Sequence, residues 1–473
     1  MLRNLLWTLT FTLSFGIINA QDEWTLEQCI ERALDQDLTI KDAELSIDNV
    51  TINRKTSRQA RYPSLNGGTN AFWNFGRTID PTSNEFITTT FFSNGISLNS
   101  GVTLYSGGRI NNTIKQSDLD YQAAQKDYDQ AINDISLQVA SSFLNVLFAQ
   151  ENLENANKQL EITQEQLRQI ELLIESGSRP ENERLDIEAQ IATREQAVVN
   201  NQNTLDFAML GLKQLLRFNP DYNMALKAPP SVDIFTDPSL ISFTEIYESA
   251  LNTQKNIEAS ELRVQSSEMG IKIAESALYP TLTFGGSLQT NYSNQGRRVT
   301  GFETFRQSQE VFVDNVPVTI ATDVDVPIVE KNPYLDQVDE NLSYGFGFNL
   351  SIPIYNNYQN KASVERAKIG AVRAQNTLEI VKDNLKNTVQ QALADARAAK
   401  KSLDAAERNQ VAQQAAYDNA IQRYELGAIN TFDLTTIQNQ LEQAEINLII
   451  SRYDYLFRTK VLDFYLGRPI TLK

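Results

Sequence analysis

Residues 342–355 read Leu-Ser-Tyr-Gly-Phe-Gly-Phe-Asn-Leu-Ser-Ile-Pro-Ile-Tyr. Leu342, Tyr344, Phe346, Phe348, Leu350, Ile352 and Ile354 are apolar. Ser343, Gly345, Gly347, Asn349, Ser351 and Pro353 between them are small or polar. Successive side chains of a strand point to opposite faces, so this alternation predicts a strand with one apolar and one polar side. A mate strand lies upstream, with Leu282, Phe284 and Leu288 set against Thr281, Thr283, Ser287 and Gln289. The pattern recurs where Ile96, Leu98, Val102 and Leu104 alternate with Ser97, Asn99, Gly101 and Thr103, and more weakly from Leu65 to Phe75. A tilted strand of about 9–11 residues crosses a bilayer with its apolar side outward. Each strand alone would equally fit a one-sided sheet in a soluble domain. Two hairpins, each placed between long helices, favour membrane strands.

The two hairpins belong to an internal repeat. Leu26 to Leu34 corresponds to Phe243 to Leu251, and Tyr62-Pro63-Ser64-Leu65 to Tyr279-Pro280-Thr281-Leu282, both at an offset of 217 residues. Downstream the offset becomes 250: Leu104-Tyr105 with Ile354-Tyr355, Gly177 with Gly427, Ile187 with Ile437, Gln190 with Gln440. The second half therefore carries 33 extra residues between Leu282 and Ile354. This insertion, bounded by Ser293 and Asn341, fits an external loop, a cap over a pore or an extra hairpin.

Outward from the strands the sequence is helical. From Arg109 to Ser176 there is no Gly or Pro, which corresponds to about 100 Å of helix at 1.5 Å per residue. Ile132, Ile135, Val139, Ser142, Val146, Ala149, Leu153, Ala156, Leu160, Thr163, Leu167, Ile170 and Ile174 step by three and four, a sustained coiled-coil seam. The second half repeats it with smaller residues: Leu385, Val389, Ala392, Ala396, Ala399, Leu403 and Ala406. Single first helices are expected over Leu26–Arg61 and Phe243–Leu278, each closed by Tyr-Pro. Gly177-Ser178-Arg179-Pro180 and Gly427-Ala428-Ile429-Asn430 read as turns into return helices. Ser178 and Glu181 have capping-box spacing, and Asn430 fits an N-cap. The resulting division is a signal peptide at 1–20; repeat 1 at 21–218 with a hairpin at about 63–105, a long helix at about 109–176 and a return helix at 181–218; a linker at 219–241; and repeat 2 at 242–473. Repeat 2 has its hairpin with insertion at about 280–354, a long helix at about 357–426 and a return helix at 431–466.

Composition removes most chemistry. Among 473 residues there is no histidine and one cysteine, Cys29. A Ser-His-Asp triad, a His-ligated metal site, an internal disulfide and a multi-Cys zinc site are therefore excluded within one chain. No phosphate loop or nucleophile elbow is present, so neither catalysis nor a cofactor is expected. A net charge of −17 speaks against nucleic acid as a partner. Mean hydropathy of −0.36 speaks against a bundle of transmembrane helices. Arg3, the apolar run Leu5–Ile18 and Ala20 make residues 1–20 an export signal. Cys29 lies beyond it and reads as a structural thiol.

Four strands cannot close a barrel, and open edges are not tolerated in lipid. Three copies would supply twelve strands, an even number in the outer-membrane range. The whole pattern resembles the TolC-type outer-membrane efflux proteins (outer-membrane factors). The likeness rests on Thr25-Leu26-Glu27-Gln28 with Ala33-Leu34, on Tyr-Pro before the strands, on Tyr105-Ser106-Gly107-Gly108-Arg109 after them, and on Tyr424-Glu425-Leu426-Gly427 followed by Asp433-Leu434. It implies an α+β membrane fold: a homotrimer with a 12-stranded barrel in the outer membrane of a Gram-negative-type bacterium and a coiled-coil tunnel in the periplasm. It implies a passive exit duct for small molecules, working with a periplasmic adaptor and an inner-membrane transporter.

The resemblance also implies a gate at the helix tips. There Asp433 takes the first position of the family's acidic pair, and Thr436 takes the second, a departure. Tyr424 fits the tip tyrosine, and Ile429 stands where a gate arginine occurs. Glu183 matches the tip acid of the first half, with Asp186 three residues on. The turns at Gly177, Ser178, Gly427 and Ala428 are the implied adaptor contacts. Acids in a first helical turn are also favoured by the macrodipole alone, and both readings hold together. A type I protein-secretion duct and a pore-free periplasmic coiled-coil scaffold or adaptor are the alternatives.

Overall fold

The computed structural model describes residues 22–79, 84–88, 90–227, 237–313 and 316–468. The signal peptide read at 1–20 lies outside them, as does the middle of the linker. The first half runs β1 (Asp22–Trp24), α1 (Leu26–Gln36), α2 (Leu38–Gln59), β2 (Ser64–Asn74), β3 (Arg77–Ile79), β4 (Phe86–Thr88), β5 (Phe91–Ser106), α3 (Arg109–Glu175) and α4 (Asn182–Leu215). The second runs β6 (Met224–Leu226), α5 (Phe243–Thr253), α6 (Lys255–Ser276), β7 (Thr281–Ser293), β8 (Arg297–Val313), β9 (Val316–Lys331), α7 (Tyr334–Glu340), β10 (Ser343–Ser351), α8 (Gln359–Glu425) and α9 (Thr431–Tyr465). The chain divides into two compact units. One takes the chain up to Asn49, Gln122–Arg263 and Gln375 onward. The other takes Val50–Tyr121 and Val264–Ala374.

The first unit is helical. Its two cores are copies of one another. Ala33, Ile40, Val139, Phe143 and Leu212 are buried in one; Ala250, Ile257, Val389, Leu393 and Leu462 take the corresponding places in the other. The seam residues Ile135, Val139, Val146, Ala149, Ala156, Thr163 and Ile170 of α3 are buried, and so are Leu385, Val389, Ala392, Ala396, Ala399 and Ala406 of α8. The Thr25-Leu26-Glu27-Gln28 motif is a capping box: Thr25 Oγ1 accepts from the Gln28 N–H, and the Gln28 side chain accepts from the Thr25 N–H. Ser242 caps α5 in the same way, accepting from the Glu245 N–H at 3.2 Å. Cys29 is fully buried in the first core, where desolvation, assisted by Glu27, pushes its thiol up to about 12. It packs as a small apolar residue.

The expected single first helices are each broken in two. Asp37 (φ −67°, ψ 135°) and Gln254 (φ −75°, ψ 118°) are extended and hold equivalent places in the two repeats. Each donates its N–H back to the preceding helix, at Ala33 O and Ala250 O. The Asp37 carboxylate then accepts from the Thr39 N–H at 2.7 Å and caps α2. This local cap competes with helix continuation. The expected linker is partly structured too, because β6 pairs in parallel with β1.

The second unit is built on a four-stranded antiparallel sheet in the order β10-β7-β5-β2. Its register puts Phe348 opposite Phe284, Leu288 opposite Leu98, and Ile96 opposite Thr69. One face therefore carries Leu65, Trp73, Ile96, Leu98, Val102, Leu282, Phe284, Leu288, Tyr344, Phe346, Phe348 and Leu350. The other carries Asn66, Ser97, Asn99, Thr283, Ser287, Gln289, Asn349 and several glycines, with Phe72 and Phe91 as apolar exceptions at one end. Among the described residues both outer strands keep a free edge, and β10 is exposed along its whole length. Gly107 closes the turn from β5 into α3 at φ 61°; a Cβ there would lie 2.8 Å from Ser276 O and from Tyr279 Cβ. That contact explains the Tyr-Ser-Gly-Gly-Arg motif and its position beside Tyr279-Pro280. The insertion forms a second, separate sheet: β8 and β9 pair antiparallel over 297–331, followed by the short α7.

Candidate functional site

The site lies at the turns that join α3 to α4 and α8 to α9. Both turns close by the same chemistry. Gly177 (φ 75°) donates to Ile174 O and Ser178 to Leu173 O; Gly427 (φ 69°) donates to Tyr424 O and Ala428 to Arg423 O. These paired bonds are Schellman caps, and the left-handed glycine is what permits them. The two returns differ at their starts. Asn430 caps α9 by accepting from the Asp433 N–H at 2.8 Å. The expected Ser178–Glu181 capping box is absent: Ser178 Oγ meets Ser176 Oγ at 2.9 Å, and Glu181 makes no side-chain cap. Pro180 supplies the tight first turn instead, with the Glu183 N–H donating to its carbonyl.

Four side chains converge between the turns. Arg179 donates from Nη2 to Tyr424 O at 3.1 Å, sits 4.5 Å over the Tyr424 ring, and reaches Glu183 Oε1 at 3.4 Å. Glu183 Oε2 accepts from Thr431 Oγ1 at 2.8 Å and from the Tyr424 hydroxyl at 3.3 Å. The Arg179 and Glu183 side chains are only 18% and 13% exposed, so the pair is largely desolvated and its hydrogen bonds are charge-assisted. Burial, the largest influence, raises the Tyr424 phenol above its usual range; it stays a neutral donor at physiological pH. Arg179 and Glu183 belong to the first repeat, Tyr424 and Thr431 to the second. The cluster therefore ties the two helical hairpins of one chain together.

Further along the hairpins the ties are also polar. Gln190 donates to Thr435 Oγ1 at 3.0 Å, Gln159 to Glu445 at 2.9 Å, and Arg194 pairs with Glu442. Beside the cluster is a cavity of about 1210 Å³, walled by Ile170, Leu173, Ile187, Tyr417, Ile421 and Leu434 and rimmed by Arg179 and Glu183.

Of the residues singled out in the sequence, the structure joins Tyr424 and Glu183. It does not join Asp433, Thr436 or Asp186 to them; all three are exposed on their helices. Thr436 Oγ1 is spent on its own helix, donating to Phe432 O at 2.9 Å. Glu183 and Asp433 are repeat mates, yet one faces in and the other out. Arg179 and Thr431 were not singled out. A signal for Arg179 was present: at the offset of 250 it is the repeat mate of Ile429. The arginine absent from one turn is supplied by the other.

The profile of the outer membrane efflux proteins matches residues 29–216 and again 246–468. The chain belongs to the outer membrane efflux protein family. The two matched segments fall on the two repeats. The outer membrane efflux protein BepC of Brucella suis is 21% identical over 421 residues, covering 89% of this chain and 79% of that protein. Among solved structures, CusC superposes with a TM-score of 0.74 at 18% identity, covering 95% of this chain and 93% of that one. The open state of the MtrE channel of Neisseria gonorrhoeae gives 0.69 at 17%, covering 95% and 90%. These likenesses carry the fold: long tunnel helices with a share of a membrane barrel. The amphipathic four-stranded sheet with two free edges is this chain's share.

Proposed function

We propose that this protein is the outer-membrane exit duct of a tripartite efflux pump. Three copies close one 12-stranded barrel, because each four-stranded sheet has an apolar face and two edges that lipid cannot satisfy. The helices project into the periplasm, where an adaptor engages the turns at Gly177-Ser178 and Gly427-Ala428 and an inner-membrane transporter supplies the energy. Small molecules pass outward through the polar face without chemistry. The observation that carries the reading is the register of the sheet, which sorts apolar and polar residues onto opposite faces across all four strands.

The gate lies at the helix tips. Arg179, Glu183, Tyr424 and Thr431 hold the two hairpins of a protomer together in the closed state. Asp433, exposed in the first turn of α9, contributes an acidic ring at the mouth; Thr436 and Asp186, exposed one turn further on, extend its polar lining. Opening requires the hairpins to part, and the polar ties between them can be exchanged for water at small cost. The test is passage through the assembled protein. Asp433→Ala is expected to raise single-channel conductance, and unchanged conductance would remove Asp433 from the mouth.

A further inference from the structure

The β8–β9 ribbon has no role in the duct as described, and its construction is specific. It is sixteen to seventeen residues long on each side and pairs only with itself among the described residues. Its register separates two faces. Phe305 stands opposite Val324 and Val311 opposite Val318, and Ile320 and Ile328 share that face; each of the six is at least 36% exposed. Glu303, Gln307 and Gln309 interrupt that face on β8, whereas its β9 side is apolar apart from Thr322. The opposite face carries the Arg306–Asp323 ion pair and the Thr304–Asp325 hydrogen bond over its middle, groups suited to water, with Phe302 and Phe312 towards its two ends. A two-stranded ribbon is marginal in water unless its apolar face is covered.

The root of the ribbon is fixed. Gln337 of α7 is fully buried; its Oε1 accepts from the Ser293 N–H at 3.0 Å and its Nε2 donates to Ser293 O and Asn332 O. Arg298 pairs with Asp336 at 2.7 Å, and the Tyr334 ring lies 4.8 Å from that of Tyr292 in β7. The ribbon thus leaves the sheet as an anchored element. It leaves from the end of β7 opposite to the helix-linked end at Thr281, which is the exterior side of the barrel. It is also inserted between β7 and β10, and β10 is the edge strand by which one copy joins the next.

Three features say what covers the face. One ribbon rises from every fourth strand of the closed barrel, so neighbouring ribbons start about 20 Å apart at about 4.8 Å per strand. Each is about 50 Å long at about 3.3 Å per residue, more than enough to meet the others. Pro317 and Pro327 deprive β9 of two backbone donors, which discourages strand addition on that edge and leaves face-to-face packing. We propose that the apolar faces of the three ribbons turn toward the trimer axis and pack against one another outside the membrane. The partner is a second and third copy of this chain.

The inference rests on the trimeric duct, and the test separates the two. Cys29 is buried, so introduced surface thiols report alone. Ile320→Cys and Val318→Cys place a thiol on the apolar face; Thr319→Cys and Ser308→Cys place one on the polar face. Mild oxidation in intact outer membranes is expected to give covalent dimers from the first pair and at least tenfold less from the second. Equal yields from both faces, or none from the apolar face in membranes that retain the heat-modifiable trimer, overturn the proposal. Absence of dimers together with shielding of Ile320→Cys from an aqueous maleimide would assign the face to lipid and equally overturn it. Absence of a trimer in the unsubstituted protein would overturn the duct and this packing together.

Discussion

Arg179 holds three groups at once: a carboxylate, a carbonyl and an aromatic face. A hydrogen bond to a charged group contributes about 1.5–3 kcal/mol when largely desolvated. At the rim of the hairpins the lower end applies, so Arg179→Ala is expected to move the closed–open balance roughly tenfold toward open. Tyr424→Phe removes one hydroxyl donor and should act in the same direction more weakly. Open probability in planar bilayers checks both, and no change in the arginine variant would mean that the cluster is structural only. Cys29 gives an independent residue-scale prediction. Its thiol, pushed to about 12 by burial, remains protonated in the fold. Maleimide labelling at pH 8 should be negligible in the native protein and complete after denaturation. Burial of the neutral thiol stabilises fully below the ordinary value of 9.0. That contribution falls as pH rises toward about 12, because only the unfolded chain ionises there. Of the tip cluster, Tyr424 and Glu183 were legible through the family likeness. Arg179 was not, because only its pairing with Ile429 at the repeat offset exposes it. The capping acid at 433 and its mate at 183 look alike in sequence; only packing turns one in and leaves the other out.

At the scale of elements, the glycine at 107 is a sharp test of how strand meets helix. Its left-handed φ and the 2.8 Å approach to Ser276 O leave no room for a methyl group. Gly107→Ala should cost about 1 kcal/mol or more from conformation alone, and the yield of heat-modifiable trimers should fall. Gly108→Ala, where the added Cβ would meet only Asn112 Nδ2 at 3.6 Å, keeps the φ penalty without the clash and should fall less. The long helices were legible because a seam stepping by three and four from Ile132 to Ile174 has no other solution. The strands were legible because alternation by two is equally specific. The breaks at Asp37 and Gln254 were not: at Asp37 a single side-chain cap outweighs helical periodicity, and Gln254 turns extended with only its backbone N–H returned to Ala250 O. For the β8–β9 segment the sequence alone allows a loop, a cap or a hairpin. Its two prolines argue against an interior strand, and the sequence between its two strands holds no glycine of a strong hairpin signal.

For the whole molecule, the repeat is the unit of construction. Two equivalent cores, two equivalent entries and two equivalent Schellman turns give a protomer whose halves nevertheless diverge at several points. They include the tip arginine, the inward and outward acids, and the β8–β9 ribbon. Among the described residues neither outer edge of the sheet nor its apolar face is covered, so assembly is built into the secondary structure. Acidic excess on such a duct favours cations near its mouth, and Asp433→Asn should lower cation preference in reversal-potential measurements. The most direct test is planar-bilayer recording of the purified protein, alone and as the Arg179→Ala, Tyr424→Phe double variant. The account predicts a heat-modifiable trimer with a small resting conductance that rises severalfold in the double variant. A soluble protein that never forms channels, or a channel whose conductance and open probability ignore both substitutions, would contradict it.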